Sequence, residues 1–151
     1  MATNVFRTYT PGTTEEWEVP ASTLAGEVVI NNTDSRVGVT LTARGDATTS
    51  LTLPNGQIIS NYPVGGVGNK PDTAVVATDG DFLFEVTGVT AGETVGSAQT
   101  GTPQGTAVYA VVAAGAVTSL TLTSTSNTKI GVIADGNIIG TLAPVSIGVT
   151  L

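Results

Sequence analysis

Apolar residues along this chain recur at every second position in short runs. No stretch of ten or more residues carries the i, i+3, i+4, i+7 spacing of an amphipathic helix free of Gly or β-branched runs. Trp17 and Val19 alternate with Glu16 and Glu18, which predicts a half-buried strand ending at Pro20. The run Val28-Val29-Ile30 is followed by turn-forming residues over 31–35. Val37, Val39, Leu41 and Ala43 then fall on one face, and Gly38, Thr40 and Thr42 on the other, up to Gly45-Asp46. Leu51 and Leu53 lead to Pro54. Asn55-Gly56 is the strongest two-residue hairpin signal and puts Ile58 and Ile59 on the return strand. Residues 74–77 and 82–86, joined through Asp79-Gly80, read as a second hairpin with Phe82, Phe84 and Val86 on one face.

Strands follow over 107–112, 117–123 and 129–134, then Asp135-Gly136 as a third turn signal and Ile138-Ile139. Val145, Ile147, Val149 and Leu151 mark a last strand. Residues 62–72, with Gly65, Gly66, Gly68, Pro63 and Pro71, read as an irregular loop, and 87–105 as a long surface connection. The only helical candidate is a turn over 20–25. The pattern amounts to about ten to twelve short strands at roughly 8–12-residue spacing, so the expected fold is all-β, a compact barrel or sandwich. Residues 1–12, with Val5, Phe6 and Tyr9, are expected to form an amino-terminal arm or edge strand, and 13–151 a single β domain.

Composition sharpens this picture. Thr is the most frequent residue, and Thr and Val suit a pleated, half-buried surface. Charged residues make up only 11%, against about 25% in ordinary soluble domains, which points to a surface partly covered by something else. The net charge is −7, and the cations Arg7, Arg36, Arg44, Lys70 and Lys129 are scattered, so neither a nucleic acid nor an anionic membrane is an expected partner. No apolar run is long enough to span a bilayer. The first twenty residues lack a secretory signal's apolar stretch, and the expected compartment is the cytoplasm in which the protein is made. The sequon Asn31-Asn32-Thr33 is then a chance match.

Candidate chemistry is sparse. With no Cys and no His, thiol and imidazole catalysis, disulfides and zinc fingers are excluded. Nothing in the sequence sets Lys70 or Lys129 beside a Ser. Asp79 and Asp81 flank Gly80 as turn residues do. Asn69-Lys70-Pro71-Asp72 matches a guanine-recognition signature, but the phosphate loop and α/β sheet that must accompany it are missing. The expectation is a non-enzymatic protein without metal or cofactor.

The carboxy-terminal third carries a resemblance. Gly105-Thr106-Ala107-Val108-Tyr109, then Ala114-Gly115-Ala116-Val117-Thr118, then Asn127-Thr128-Lys129-Ile130-Gly131 precede the final strand. Nearer the start stand Ala25-Gly26-Glu27-Val28-Val29 and Val37-Gly38-Val39. In this order and spacing they resemble the head decoration (capsid cement) proteins of tailed bacteriophages over about half the chain. Against that family 48–72 looks like an insertion of hairpin and loop. The resemblance implies a homotrimer on the outer capsid surface of the virion, at threefold or quasi-threefold positions. There it would bridge neighbouring subunits of the major capsid protein and stabilise the expanded shell. An extended amino terminus that adds a strand to a sheet edge of the shell makes Thr3, Asn4, Val5, Phe6 and Arg7 the expected capsid contacts. Two other classes stay open. A surface adhesin or carbohydrate-binding module needs an exposed aromatic platform, with Trp17, Tyr9, Tyr62 and Tyr109 as candidates, and a tail-associated virion protein predicts rings or tubes.

Overall fold

The computed structural model describes residues 5–7, 14–64, 70–92, 94–95 and 98–148, and the side chains of these except 5–7, 46–51, 60, 61–64 and 94–95. All the described regular structure is β. In chain order the strands are β1 (Val5–Arg7), β2 (Thr14–Glu18), β3 (Val28–Ile30), β4 (Val37–Thr40), β5 (Asp46–Thr52), β6 (Ile58–Val64) and β7 (Thr73–Ala77). Then come β8 (Gly80–Thr87), β9 (Thr94–Val95), β10 (Ala98–Gln99), β11 (Ala107–Ala113), β12 (Ala116–Thr121), β13 (Thr128–Ile133) and β14 (Leu142–Ile147).

Five strands close a barrel in the order β8-β12-β11-β13-β14, with β14 returning to pair with β8. Every rung is antiparallel except β8 with β12, which run parallel through Leu120 opposite Val86 and Thr121 opposite Thr87. Alternation builds the interior. Phe82, Phe84 and Val86 of β8 meet Val108, Ala110, Leu120, Ile130 and Ile133, all buried. The second sheet, β2-β7-β4-β3, lays Val28, Val39 and Ala77 on that same core. Its far side buries Trp17, Val19, Val29, Ala74 and Val76 in a smaller cluster. Burying roughly a dozen large apolar side chains at ~1.5–3 kcal/mol each supplies the main driving force for the fold.

Several sequence expectations need correction in detail. Residues 74–77 and 82–86 do not form a hairpin: β7 pairs with β2 and β4, whereas β8 belongs to the barrel. Gly80 sits at φ 131°, and the Thr78 carbonyl lies where a Cβ on Gly148 would fall, so this segment is a crowded crossover between sheets rather than a two-residue turn. The alternation over 37–43 stops at Thr40. That residue is buried on the face expected to be polar because its hydroxyl donates to the Leu24 carbonyl at 2.6 Å, while Leu41 is 42% exposed. After Asp135-Gly136 the return is delayed: Ile138 bridges to Gly92, and the partner strand of β13 begins at Leu142. The connection over 87–105 holds that bridge, the β9–β10 ribbon and a buried Thr102, whose hydroxyl accepts from Thr90 N at 2.7 Å. The last strand is described as far as Ile147, and Val149 and Leu151 lie outside the described residues.

Candidate interaction surfaces

Several charged side chains are tied into the body. Arg36 crosses to Glu15 through Nη1–Oε1 at 2.5 Å and Nη2–Oε2 at 2.8 Å, and reaches Asp34 Oδ2 through Nε at 2.5 Å. Its guanidinium lies 5.4 Å from the centre of the Trp17 ring, whose Nε1 donates to Glu15. These bonds from Arg36 and Trp17 pull the Glu15 carboxyl from an ordinary 4.5 to about 2. Arg44 donates to Asp72 and to the Val19 carbonyl. Lys70 stands 3.5 Å from Glu16, whose carboxylate also accepts from Thr73 Oγ1 and Lys70 N and is lowered in pKa by those bonds. Lys70 and Asp72 of the stretch that mimics a guanine signature are thus ion-paired, and Asn69 lies outside the described residues.

Among the described residues no group of three or more acidic side chains is placed to hold a metal ion. Asp81, read from sequence as a turn residue, is 1% exposed and accepts from the Ser146 hydroxyl inside the barrel wall. Trp17 is 4% exposed, so it offers no platform for a sugar ring, and Tyr109 is half-buried.

Three features remain available to a partner. The first is the β5–β6 ribbon. Among the described residues its two strands pair only with each other, Leu51 opposite Ile59 and Thr52 opposite Ile58, around the Asn55-Gly56 turn. Gly56 adopts φ 80°, its N–H donates to the Leu53 carbonyl at 2.8 Å, and Asn55 Oδ1 accepts from Gln57 N. At the ribbon's base Gly45 N bonds to Thr73 O, and Asp72 N to Gly45 O. No charged side chain occurs over 47–64, and Ile58 and Ile59 are 61% and 39% exposed. The hairpin is legible in the Asn55-Gly56 turn but its isolation is not; the missing charge was the available signal, since exposed edges are normally protected by charge.

The second is the outer edge of β1. Of the expected contact residues, Val5, Phe6 and Arg7 form β1, with Val5 opposite Phe82 and Arg7 opposite Asp81 on β8. Thr3 and Asn4 lie outside the described residues. Val5–Arg7 are therefore held on the barrel along one edge, and β1 is the terminal strand of its sheet.

The third is a seam in the barrel wall. On one edge β8 pairs with β14 over Gly80 to Glu85. On its other edge β1 meets Asp81 and Phe82, and β12 meets Val86 and Thr87. A groove of about 370 Å³ opens there, floored by Val28, Phe84 and Leu120, flanked by Glu27 and Glu85, and bounded by 117–119 of β12.

No family model, curated protein or solved structure matches the chain.

Proposed function

We propose that this chain is a structural virion protein that decorates the outside of an expanded tailed-phage capsid and holds neighbouring major capsid subunits together. The observation that carries the reading is the β5–β6 ribbon, a two-stranded arm with no charged residue over 47–64 and with exposed Ile58 and Ile59. A lone two-stranded ribbon is marginally stable in water, and its free edges and apolar side chains gain most when another protein covers them. The low overall charge and the order of the carboxy-terminal motifs support the same assignment. In this reading three copies form a trimer at threefold or quasi-threefold sites, so that three weak contacts act together through high effective concentration. The ribbon is the principal contact and the outer edge of β1 the second. No catalytic role, cofactor, nucleic acid or membrane enters the proposal.

The test is co-sedimentation with expanded heads that lack the protein, counting bound copies per major capsid subunit. Saturation at a fixed ratio, absent on unexpanded procapsids, is the expected outcome. An Ile58→Asp/Ile59→Asp double variant is expected to stay folded and lose most of this binding. Absence of wild-type binding to either form of the head removes the proposal.

A further inference from the structure

We infer that Asn55, at the tip of the β5–β6 ribbon, is a self-modification site. There the Gly56 peptide nitrogen displaces the side-chain amide, and water then leaves an aspartate or isoaspartate in its place. This chemistry needs nothing from the shell reading above.

Asn55 is the only Asn in the chain followed by Gly. A glycine nitrogen has no neighbouring Cβ, so it approaches the carboxamide carbon without the crowding that Asn32-Thr33, Asn127-Thr128 and Asn137-Ile138 impose. The fold keeps that freedom. Asn55, Gly56 and Gln57 are all exposed, and nothing lies within 4 Å of the place where a Cβ on Gly56 would stand.

Two hydrogen bonds set the rate. Asn55 Oδ1 accepts from Gln57 N at 3.0 Å, so the carboxamide carbonyl is already polarised where negative charge develops as the ring closes. Against this, Gly56 N donates to the Leu53 carbonyl at 2.8 Å and must let go before it can lose its proton. That is a single bond at the exposed end of a ribbon whose strands, among the described residues, pair only with each other. Such ribbons open locally long before a domain unfolds. Once released, the nitrogen gives its proton to hydroxide and attacks Asn55 Cγ. The Cγ–Nδ2 bond breaks, Nδ2 takes a proton from water and leaves as ammonia, and a succinimide remains. Water then opens the ring. Breaking the new Cγ–N bond gives aspartate; breaking the original peptide C–N bond gives isoaspartate, with the chain running through Cβ and Cγ.

Either product places a negative charge on a segment that has none over 47–64, close in sequence to the exposed Ile58 and Ile59. Isoaspartate also lengthens the backbone inside the turn that Leu53 N closes on the Gln57 carbonyl at 2.9 Å. The ribbon thus changes its charge and its shape with age.

To test this, purified protein is held at mildly alkaline pH and sampled by peptide mass mapping, with isoaspartate scored by enzymatic methylation. A synthetic peptide spanning 51–59 is the unstructured reference. Asn55 is expected to exchange its NH2 for OH ahead of Asn31, Asn32, Asn127 and Asn137, at a rate that rises with hydroxide. The rate is expected within about tenfold of the peptide's, since one exposed hydrogen bond separates the two. Asn55→Gln, whose longer side chain closes the ring poorly, is expected to abolish isoaspartate at this position. A slower rate in the folded protein, prior reaction at another of these Asn residues, or undiminished isoaspartate in Asn55→Gln overturns the inference. Under the shell reading, the aged form, separated from fresh protein by its extra charge on an anion exchanger, is expected to bind expanded heads several-fold more weakly. Equal binding removes the ribbon as the shell contact and leaves the modification intact.

Discussion

Arg36 does the work of several residues on the second sheet. Its fork grips Glu15 while its plane covers the Trp17 ring, and Trp17 in turn donates to Glu15. An arginine so placed adds bidentate geometry and cation–π contact that lysine does not reproduce. The Glu15 carboxyl titrates near 2 in the fold rather than near 4.5, and Asp34 and Glu16 are displaced downward as well. Because the Glu15 value in the fold lies below the unfolded one, the stability Glu15 lends is fully present above about pH 4.5 and drains away as the pH falls through about 2. Asp34 and Glu16 act in the same direction. Each group is exposed, so salt screens the effect. Arg36→Ala is therefore expected to flatten the fall in melting temperature between pH 4.5 and pH 2, and more at low salt than at high salt. Melts of both proteins across that interval check it; parallel curves would show that the cluster contributes nothing.

At the scale of elements, the close approach of β4 to β7 sets a sharp test. A Cβ on Gly38 would lie 2.3 Å from Val76 Cγ1 and 2.8 Å from the Ala77 carbonyl, with the Trp17 ring also close at 3.2 Å. Gly38→Ala is expected to cost about 1–3 kcal/mol through overpacking, read as a lower urea midpoint at unchanged slope. Removal of 2–10 makes a milder prediction. It deletes β1 and uncovers the edge of β8 at Asp81 and Phe82, but the ring of five strands closes without it. Such a protein is expected to remain folded, melt at a lower temperature and bind heads more weakly. A full-strength melt would mean that β1 contributes nothing to stability. The contrast between strands and their connections also explains how much was legible beforehand. Period-two runs such as Phe82, Phe84 and Val86 declare a strand because burial acts residue by residue along one face. Which strand lies alongside does not follow from such runs, so Asp79-Gly80 looked like a hairpin although it joins two sheets. The parallel pair of β8 and β12 has no local signal at all, and the seam it creates was invisible in the sequence. The β5–β6 hairpin was legible because Asn55-Gly56 encodes its turn chemistry locally.

Across the whole molecule, charge is unevenly spread. Twelve acidic side chains stand against five basic ones, and Arg36, Arg44 and Lys70 are each spent on a carboxylate within the chain. The ribbon over 47–64, by contrast, carries no charge. Ionic strength tests what this means for binding. Contact through the ribbon draws on apolar burial and backbone pairing, which salt scarcely weakens. Affinity for expanded heads is therefore expected to change little between about 0.05 and 0.5 M salt, the range over which screening tightens several-fold. Ile58→Asp/Ile59→Asp is expected to lower affinity at every salt concentration. A steep decline with salt would place the contact on the charged body of the protein instead of on the ribbon.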